Sequence, residues 1–193
     1  MPATPPRAKL PSRPLHTLPA RRAAQVGAFL LAGVVGGCGP ADDKFPPVCP
    51  GLSLLRDGGD LTRFAADGRD VTDMVMRARI VGVPAKCETV SGRKIRATLT
   101  VQADVTRGPA ARDRSPSATY FVAVTDGDKI LQEQDFPLVA TFPSNVDRIG
   151  VSSDDIELLF PVTKEKSAAA YHIYVGFRLT PEELTYNRTH RMP

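Results

Sequence analysis

The sequence is poor in several residue types, and each shortage narrows the possibilities. It has no tryptophan, 6% aromatic residues, and only 3 cysteines and 3 histidines among 193 residues. Without Trp it lacks the buried tryptophan that marks antibody-type domains. So few Cys and His residues make a poor zinc site. No apolar run reaches the roughly 18 residues of a membrane-spanning helix, which excludes a multipass membrane protein.

Acidic residues are missing from the first 37 positions, which contain five basic residues. The rest of the chain therefore has one more acidic than basic residue, out of totals of 25 basic and 21 acidic residues. The formal net charge of +4 belongs to the N-terminal segment alone. Because the remainder is nearly neutral, the composition does not indicate a nucleic-acid-binding protein.

Residues 1–37 have the order of features typical of a secretory signal. Arg21 and Arg22 form a positive patch, and a short apolar run over 26–35 leads to Gly36 and Gly37. A positive region, an apolar region and small residues before a cleavage site define such signals. A buried core helix is the alternative, but the glycines within the run oppose it.

The tetrad that ends this run, Val35-Gly36-Gly37-Cys38, resembles the lipobox of bacterial lipoprotein precursors. The resemblance implies that the Cys38 sulfur carries a diacylglyceryl group, that the chain is cut before Cys38, and that the new amine is acylated. Two or more acyl chains anchor a protein firmly. Gly39, in place of Asp, implies the outer membrane with the domain facing the periplasm. The outer face of the inner membrane, the soluble periplasm and an ordinary unlipidated Cys38 are the alternatives.

Residues 38–50 are predicted to be the lipidated cysteine and a tether, because four prolines stiffen this stretch. With Cys38 lipidated, one cysteine pair remains, and an even remainder suits an oxidising compartment. The sequence therefore predicts a disulfide between Cys49 and Cys87. Two free thiols or a metal-binding pair are the alternatives.

Residues 51–193 are predicted to form one all-β domain. Apolar and polar residues alternate over 95–105, 118–124, 156–162 and 171–179, as in strands with one buried face. An Asp-Gly-Asp turn at 126–128 predicts a hairpin over 117–135. Further strand candidates lie at 52–55, 61–64, 74–83 and 139–142. The expected fold is an antiparallel β-sandwich of Ig-like architecture with seven or eight strands.

A short helix is expected to end this domain. Thr180 is suited to the N-cap, Pro181 to the first helical position, and Glu183 stands three residues after the cap. The helix is predicted to run from Pro181 to about Arg188. Arg188, His190 and Arg191 then give the chain a small basic tail.

Aspartates and glycines are concentrated between residues 57 and 73. Carboxylates beside glycines can bind Ca²⁺, which prefers six to eight oxygen ligands. Asp-Gly is also ordinary turn chemistry, and the interleaved arginines favour turns with local ion pairs. Both interpretations stay open for the same five residues: Asp57, Asp60, Asp67, Asp70 and Asp73.

No catalytic motif stands out along the chain. His172 lies on the polar side of its strand, and neither it nor His190 has the spacing of a known nucleophile–base motif. No Gly-x-Ser-x-Gly, His-Glu-x-x-His or phosphate-binding loop occurs. The sequence therefore predicts a protein that is not an enzyme and needs no cofactor or metal.

Four short segments, Cys49-Pro50, 61–64, 68–70 and Thr72-Asp73, are similar to a group of uncharacterised putative lipoproteins of Gram-negative bacteria. This resemblance implies no activity. Together with the signal and tether, it leads to the expected function: a lipid-anchored, periplasm-facing binding or adaptor module. Its expected partners are the membrane and another envelope protein, without nucleic acid. A small-ligand or calcium-binding module and a cell-envelope hydrolase are the alternatives.

Overall fold

The computed structural model describes residues 47–66 and 68–190, and this part of the chain is mostly β-structure with one helix. The strands are β1 (Gly51–Leu54), β2 (Asp60–Phe64), β3 (Met74–Gly82), β4 (Ala85–Val90), β5 (Lys94–Leu99), β6 (Gln102–Arg107), β7 (Ser117–Asp126), β8 (Lys129–Val139), β9 (Arg148–Ser152), β10 (Ile156–Pro161) and β11 (Tyr171–Phe177). The helix α1 spans Pro181–Thr189, and short 3₁₀ turns occur at Val71–Asp73 and Ala168–Ala170. The predicted signal peptide, Cys38 and most of the tether lie outside the described residues.

The strands form three sheets. One has the order β1-β11-β7-β8, and β1 is parallel to β11 while the other pairs are antiparallel. The second has the order β2-β3-β6-β9 and the third β10-β5-β4, both antiparallel throughout. One cluster of buried side chains draws members from all three sheets. The sheets are thus sandwich-like, and the finer Ig-like architecture stays a prediction.

The strand predicted over 95–105 is interrupted at 100–101, between β5 and β6, and the described residues form eleven strands instead of the expected seven or eight. Short gaps at 83–84 and 153–155 separate β3 from β4 and β9 from β10. The prediction of one unbroken strand over 95–105 is therefore wrong. At its break, Ser153 Oγ accepts a 2.9 Å hydrogen bond from Val101 N. A side chain thus replaces a backbone partner where the strands bend.

The alternation of apolar residues over 95–105 nevertheless marks the buried face correctly. All six apolar positions are at most 7% exposed, and Leu99 and Val105 are fully buried. The period of two survives the break because β5 and β6 keep the same side toward the core. Burying a Leu or Val side chain contributes roughly 1.5–3 kcal/mol, so this line of residues is a main source of stability.

Two strands were missed and one was assigned wrongly. No strand covers 139–142, because β8 ends at Val139 and the buried Ala140 and Phe142 bond instead to the chain at Pro116 O and Arg114 O. The missed strands are β4 and β9. They lie at sheet edges and bury few side chains, so they carry little apolar alternation for a sequence pattern to register.

The disulfide predicted from the cysteine count is confirmed. Cys49 and Cys87 are bonded, with 5.8 Å between their Cα atoms. Cys49 immediately precedes β1 of the first sheet, whereas Cys87 lies in β4 of the third. The bond therefore fastens the end of the predicted tether to a different sheet from the one that the chain enters next.

The predicted C-terminal helix is confirmed with its cap. Thr180 Oγ1 accepts from Glu183 N at 3.2 Å, and Glu183 Oε2 accepts from Thr180 N at 2.9 Å. This reciprocal pair satisfies two backbone donors at the helix start. At nine residues, α1 is short, and no helix in the described ranges has the length and apolar character needed to cross a membrane.

Candidate functional site

Helix α1 packs against β2, and this contact builds the first candidate site. The rings of Phe64 and Tyr186 meet edge-to-face with their centroids 5.1 Å apart. Asn187 Nδ2 donates to Asp57 O at 2.9 Å and to Asp60 O at 2.7 Å, which ties the helix to the turn before β2. Two clefts of about 360 and 310 Å³ border this contact. Volumes of this size are typical of small-ligand pockets.

A partly buried ion pair beside the second cleft holds the helix on β2. Arg63 Nε donates to Glu183 Oε1 at 2.9 Å, and Glu183 is only 9% exposed. The same carboxylate caps the helix, so it uses both oxygens. Glu182 lines the second cleft, and its pKa is lowered. The largest cause is a hydrogen bond from backbone N–H, and a hydrogen bond with the Thr180 side chain and the positive charge of Arg69 add to it. Glu182 therefore keeps its negative charge to lower pH than usual.

The four described aspartates of the predicted ligand loop do not come together in one place. Asp57 and Asp60 lie beside α1, where Arg188 Nε is 3.8 Å from Asp57 and Arg79 donates to Asp60 at 2.7 Å. Asp70 and Asp73 belong to the 3₁₀ turn, where Asp73 accepts from Asp70 N at 3.4 Å. The fifth residue, Asp67, lies outside the described residues.

Ion pairs and turn contacts thus occupy the described aspartates, in line with the turn interpretation. Within 47–66 and 68–190, no group of three or more His, Cys, Asp or Glu side chains is placed to hold a metal ion. The calcium interpretation stays a prediction without geometric support from the four described aspartates.

A second candidate site lies on the outer face of the β2-β3-β6-β9 sheet. Met76, Ala78 and Ile80 of β3 point into the core, and the alternate residues Arg77 and Arg79 therefore lie on the opposite face. Register places two rows of polar residues across this face. One row is Thr62, Arg77, Thr106 and Arg148, and the other is Asp60, Arg79, Asp104 and Gly150.

These rows enclose a cavity of about 220 Å³. It is lined by Arg77, Arg79, Asp104, Thr106 and Arg148. Arg148 donates to Asp104 at 2.6 Å, and Arg79 bonds Asp60 beside the cavity. We call this set of residues the arginine face. Sequence reasoning missed it because its members come from three strands, and only the register brings them together.

Two neighbouring buried polar atoms have no hydrogen-bond partner among the described residues: Arg77 Nε on the arginine face and Thr62 Oγ1 beside it. The two residues are directly opposite each other on β2 and β3. Thr62 is 2% exposed. A buried donor without an acceptor costs free energy, more so when it is charged, and calls for a physical explanation.

A third polar contact involves His172, which the sequence placed on a polar strand face. Its Nε2 lies 2.9 Å from Ser53 Oγ, and its ring packs 4.5 Å from that of Tyr174. Ser53 was not singled out because it is 119 positions away and reaches His172 only through the parallel pairing of β1 with β11. A Ser–His contact alone supplies neither an orienting acid nor an oxyanion hole, so it supports no catalytic assignment.

The edge strand β8 is held by charges on its outer side. Arg178 bonds Glu133 and Asp135 and lies over the ring of Phe121, 4.5 Å from its centroid. The hydrogen bond to Glu133, and to a smaller extent the one to Asp135, raises the pKa of Arg178 above its ordinary value. These charges and Pro137 are features that protect an exposed edge against uncontrolled strand pairing.

Comparison with known proteins gives no assignment: no family model, curated protein or solved structure matches this chain. Any function therefore has to be argued from the contacts described above and from the sequence of the N-terminal segment.

Proposed function

We propose that the protein is a lipid-anchored binding module of the bacterial envelope, facing the periplasm from the outer membrane and without catalytic activity of its own. The single observation that supports this most is the Cys49–Cys87 disulfide. Structural disulfides form and persist outside the reducing cytosol. A protein with such a bond needs export, and residues 1–37 carry the features of an export signal.

The disulfide also leaves one cysteine with a different fate. Of the three cysteines in the chain, Cys49 and Cys87 are bonded to each other, which leaves Cys38 as the acceptor for lipid. Cys49 lies eleven positions after Cys38, and its disulfide attaches the end of the tether to the folded domain. A tether of that length reaches on the order of 35–40 Å when fully extended. The domain can then meet a partner at some distance from the bilayer.

The binding part of the proposal draws on the rigidity of the scaffold. The sheets share one core, α1 is held on β2 by a partly buried ion pair, and the clefts beside α1 and the arginine face lie on the surface. Binding residues held on strands and a packed helix keep their geometry better than residues on loops. The expected partner is another envelope protein.

Labelled palmitate fed to expressing cells with two membranes tests the anchor. The wild-type chain is expected to incorporate label and to sediment with the outer membrane. Cys38→Ser is expected to lose the label, while Cys49→Ser, the matched control, keeps it. Label in Cys38→Ser, or an unlabelled wild-type protein in the aqueous fraction, would refute the anchor.

Cross-linking in those cells, followed by purification from detergent-solubilised membranes, tests the binding role. Reproducible recovery of one envelope protein with the wild type, and loss of that protein with Cys38→Ser, is the expected result. Repeated recovery of no partner would contradict the adaptor role.

A further inference from the structure

Arg77 differs from every other arginine in the described strands. Six arginines lie in these strands, and five of them contact a carboxylate within 2.9 Å. Arg77 has no such partner among the described residues, and its neighbours in register are Thr62 and Thr106. The five pairs are Arg63–Glu183, Arg79–Asp60, Arg96–Glu88, Arg107–Asp147 and Arg148–Asp104.

Arg96 provides the closest comparison. It too is partly exposed and has a buried Nε without a hydrogen bond, but Glu88 is opposite it at 2.7 Å and Glu157 lies 3.4 Å away. The charge of Arg96 is therefore compensated from both sides. Directly opposite Arg77 on both neighbouring strands are threonines, which bring no charge. The diagonal position that corresponds to Glu157 holds Asp104, and Asp104 is bonded to Arg148. Among the arginines of the described strands, Arg77 is thus the one permanently charged guanidinium without a carboxylate of its own.

We infer that the arginine face binds a carboxylate of an acidic peptide segment on a partner protein, and that Arg77 is the residue that holds it. This inference deepens the proposed binding function and rests on it. An arginine fork bonds a carboxylate through two parallel N–H···O bonds. Arg77 lines the cavity and is partly exposed, so a carboxylate can approach it from the solvent side.

The charges around the cavity favour a singly charged group. Arg77, Arg79 and Arg148 supply three positive charges, against two negative charges from Asp60 and Asp104. Among these five side chains of the described residues, one positive charge more than negative is present, and a carboxylate matches it. A phosphate monoester carries up to about two negative charges at neutral pH, so Asp104 at the cavity would repel it more strongly.

The size of the cavity favours one group on a larger molecule. At about 220 Å³ it is smaller than the roughly 300–1,000 Å³ of pockets that enclose a whole small ligand. The rest of the ligand then lies on the sheet surface, as a peptide does. Arginines at protein interfaces are often the residues that carry most of the binding energy.

Fluorescence anisotropy with the full-length chain in detergent tests this inference. The probe is a labelled, capped hexapeptide, Gly-Ser-Glu-Glu-Ser-Gly, and the control probe has both glutamates replaced by glutamine. The glutamate peptide is expected to bind saturably and the glutamine peptide is not. Arg77→Gln is expected to weaken binding by about tenfold or more, the loss typical of an interface arginine of this kind.

Two further variants separate binding from folding. Arg77→Lys keeps the positive charge but loses the fork, and is expected to lose most of the affinity while melting like the wild type. Arg96→Gln, the matched control outside the arginine face, is expected to bind within about twofold of the wild type, since its charge acts on its own exposed carboxylates.

Three results would overturn the inference: equal binding of both peptides, unchanged binding by Arg77→Gln, or displacement of the peptide by inorganic phosphate at a lower concentration than by acetate at equal ionic strength. The assay does not involve Cys38. A failed palmitate experiment and a failed anisotropy experiment therefore refute different statements.

Discussion

Removing the Cys49–Cys87 bond should lower the stability of the domain by an amount that follows from the chain length it spans. The bond closes a segment of 38 residues. In the chain-entropy treatment, a cross-link of that span removes enough freedom from the unfolded chain to stabilise the native state by roughly 4 kcal/mol at 25 °C. The structure adds a reason to expect most of this value, since the bond joins β4 to the segment that leads into β1, and β1 and β4 belong to different sheets.

The appropriate change is the double substitution of Cys49→Ala with Cys87→Ala. Cys87 packs against the core, so alanine avoids placing a serine hydroxyl there. For a domain of this size, a loss of about 4 kcal/mol corresponds to a fall in Tm of roughly 10–15 °C. The measurements are urea unfolding for the free energy and calorimetry for Tm, with coincident unfolding curves from two different probes as the check on two-state behaviour.

Single variants provide the internal control. Each single substitution breaks the same bond, so either alone should destabilise the protein about as much as the double variant does. Cys38→Ala should leave the free energy of unfolding unchanged. If the double variant unfolds within about 1 kcal/mol of the wild type, the loop-entropy reasoning is refuted for this protein.

Three other changes test separate parts of the fold. Glu183→Ala removes the carboxylate that accepts from Thr180 N and leaves Arg63 without its ion-pair partner, so urea unfolding should show a loss of about 2–3 kcal/mol, and a wild-type curve would contradict the described role. Gly108→Ala would place a methyl group against the backbone of Met74, and a loss of about 1–3 kcal/mol is expected in the same assay. Burial raises the pKa of Tyr120 above its ordinary value of 10.0, so the folded state holds this proton more tightly than the unfolded chain. The resulting contribution of Tyr120 to the free energy of unfolding is present below pH 10.0 and is lost as the pH rises beyond that value. Tyr120→Phe should therefore reduce the fall in Tm that occurs at alkaline pH.

Much of the local structure could be predicted from the sequence. The hairpin of β7 and β8, the buried residues of β5 and β6, the capped start of α1 and the Cys49–Cys87 bond all follow from spacing, composition or counting. Each depends on residues close in sequence or on a small number of possible partners. Edge strands such as β4 and β9 escaped because a strand that buries little has little apolar alternation.

The candidate sites were harder to predict from the sequence than the strands and the helix. The aspartates between 57 and 73 are a candidate site because they are close in sequence, yet the four described ones contact arginines or turn backbone instead of forming one set of ligands. Arg77 could not be recognised as a candidate from the sequence, since a single arginine in a strand of alternating residues is an ordinary solvent-facing residue. Its significance depends on what β2 and β6 place opposite it.

The sequence by itself determined the strands that bury one face, the start of the helix and the cysteine pair, because backbone periodicity, capping and a short count of thiols are local or nearly local properties. Only the tertiary structure decided where the long strands break, that β1 joins β11 in parallel, and that Arg63 meets Glu183 across 120 positions. These features depend on the register between distant strands. The register is specified by which face of each strand is buried once the sheets pack against each other. A short stretch of sequence does not show which distant strand will be the neighbour.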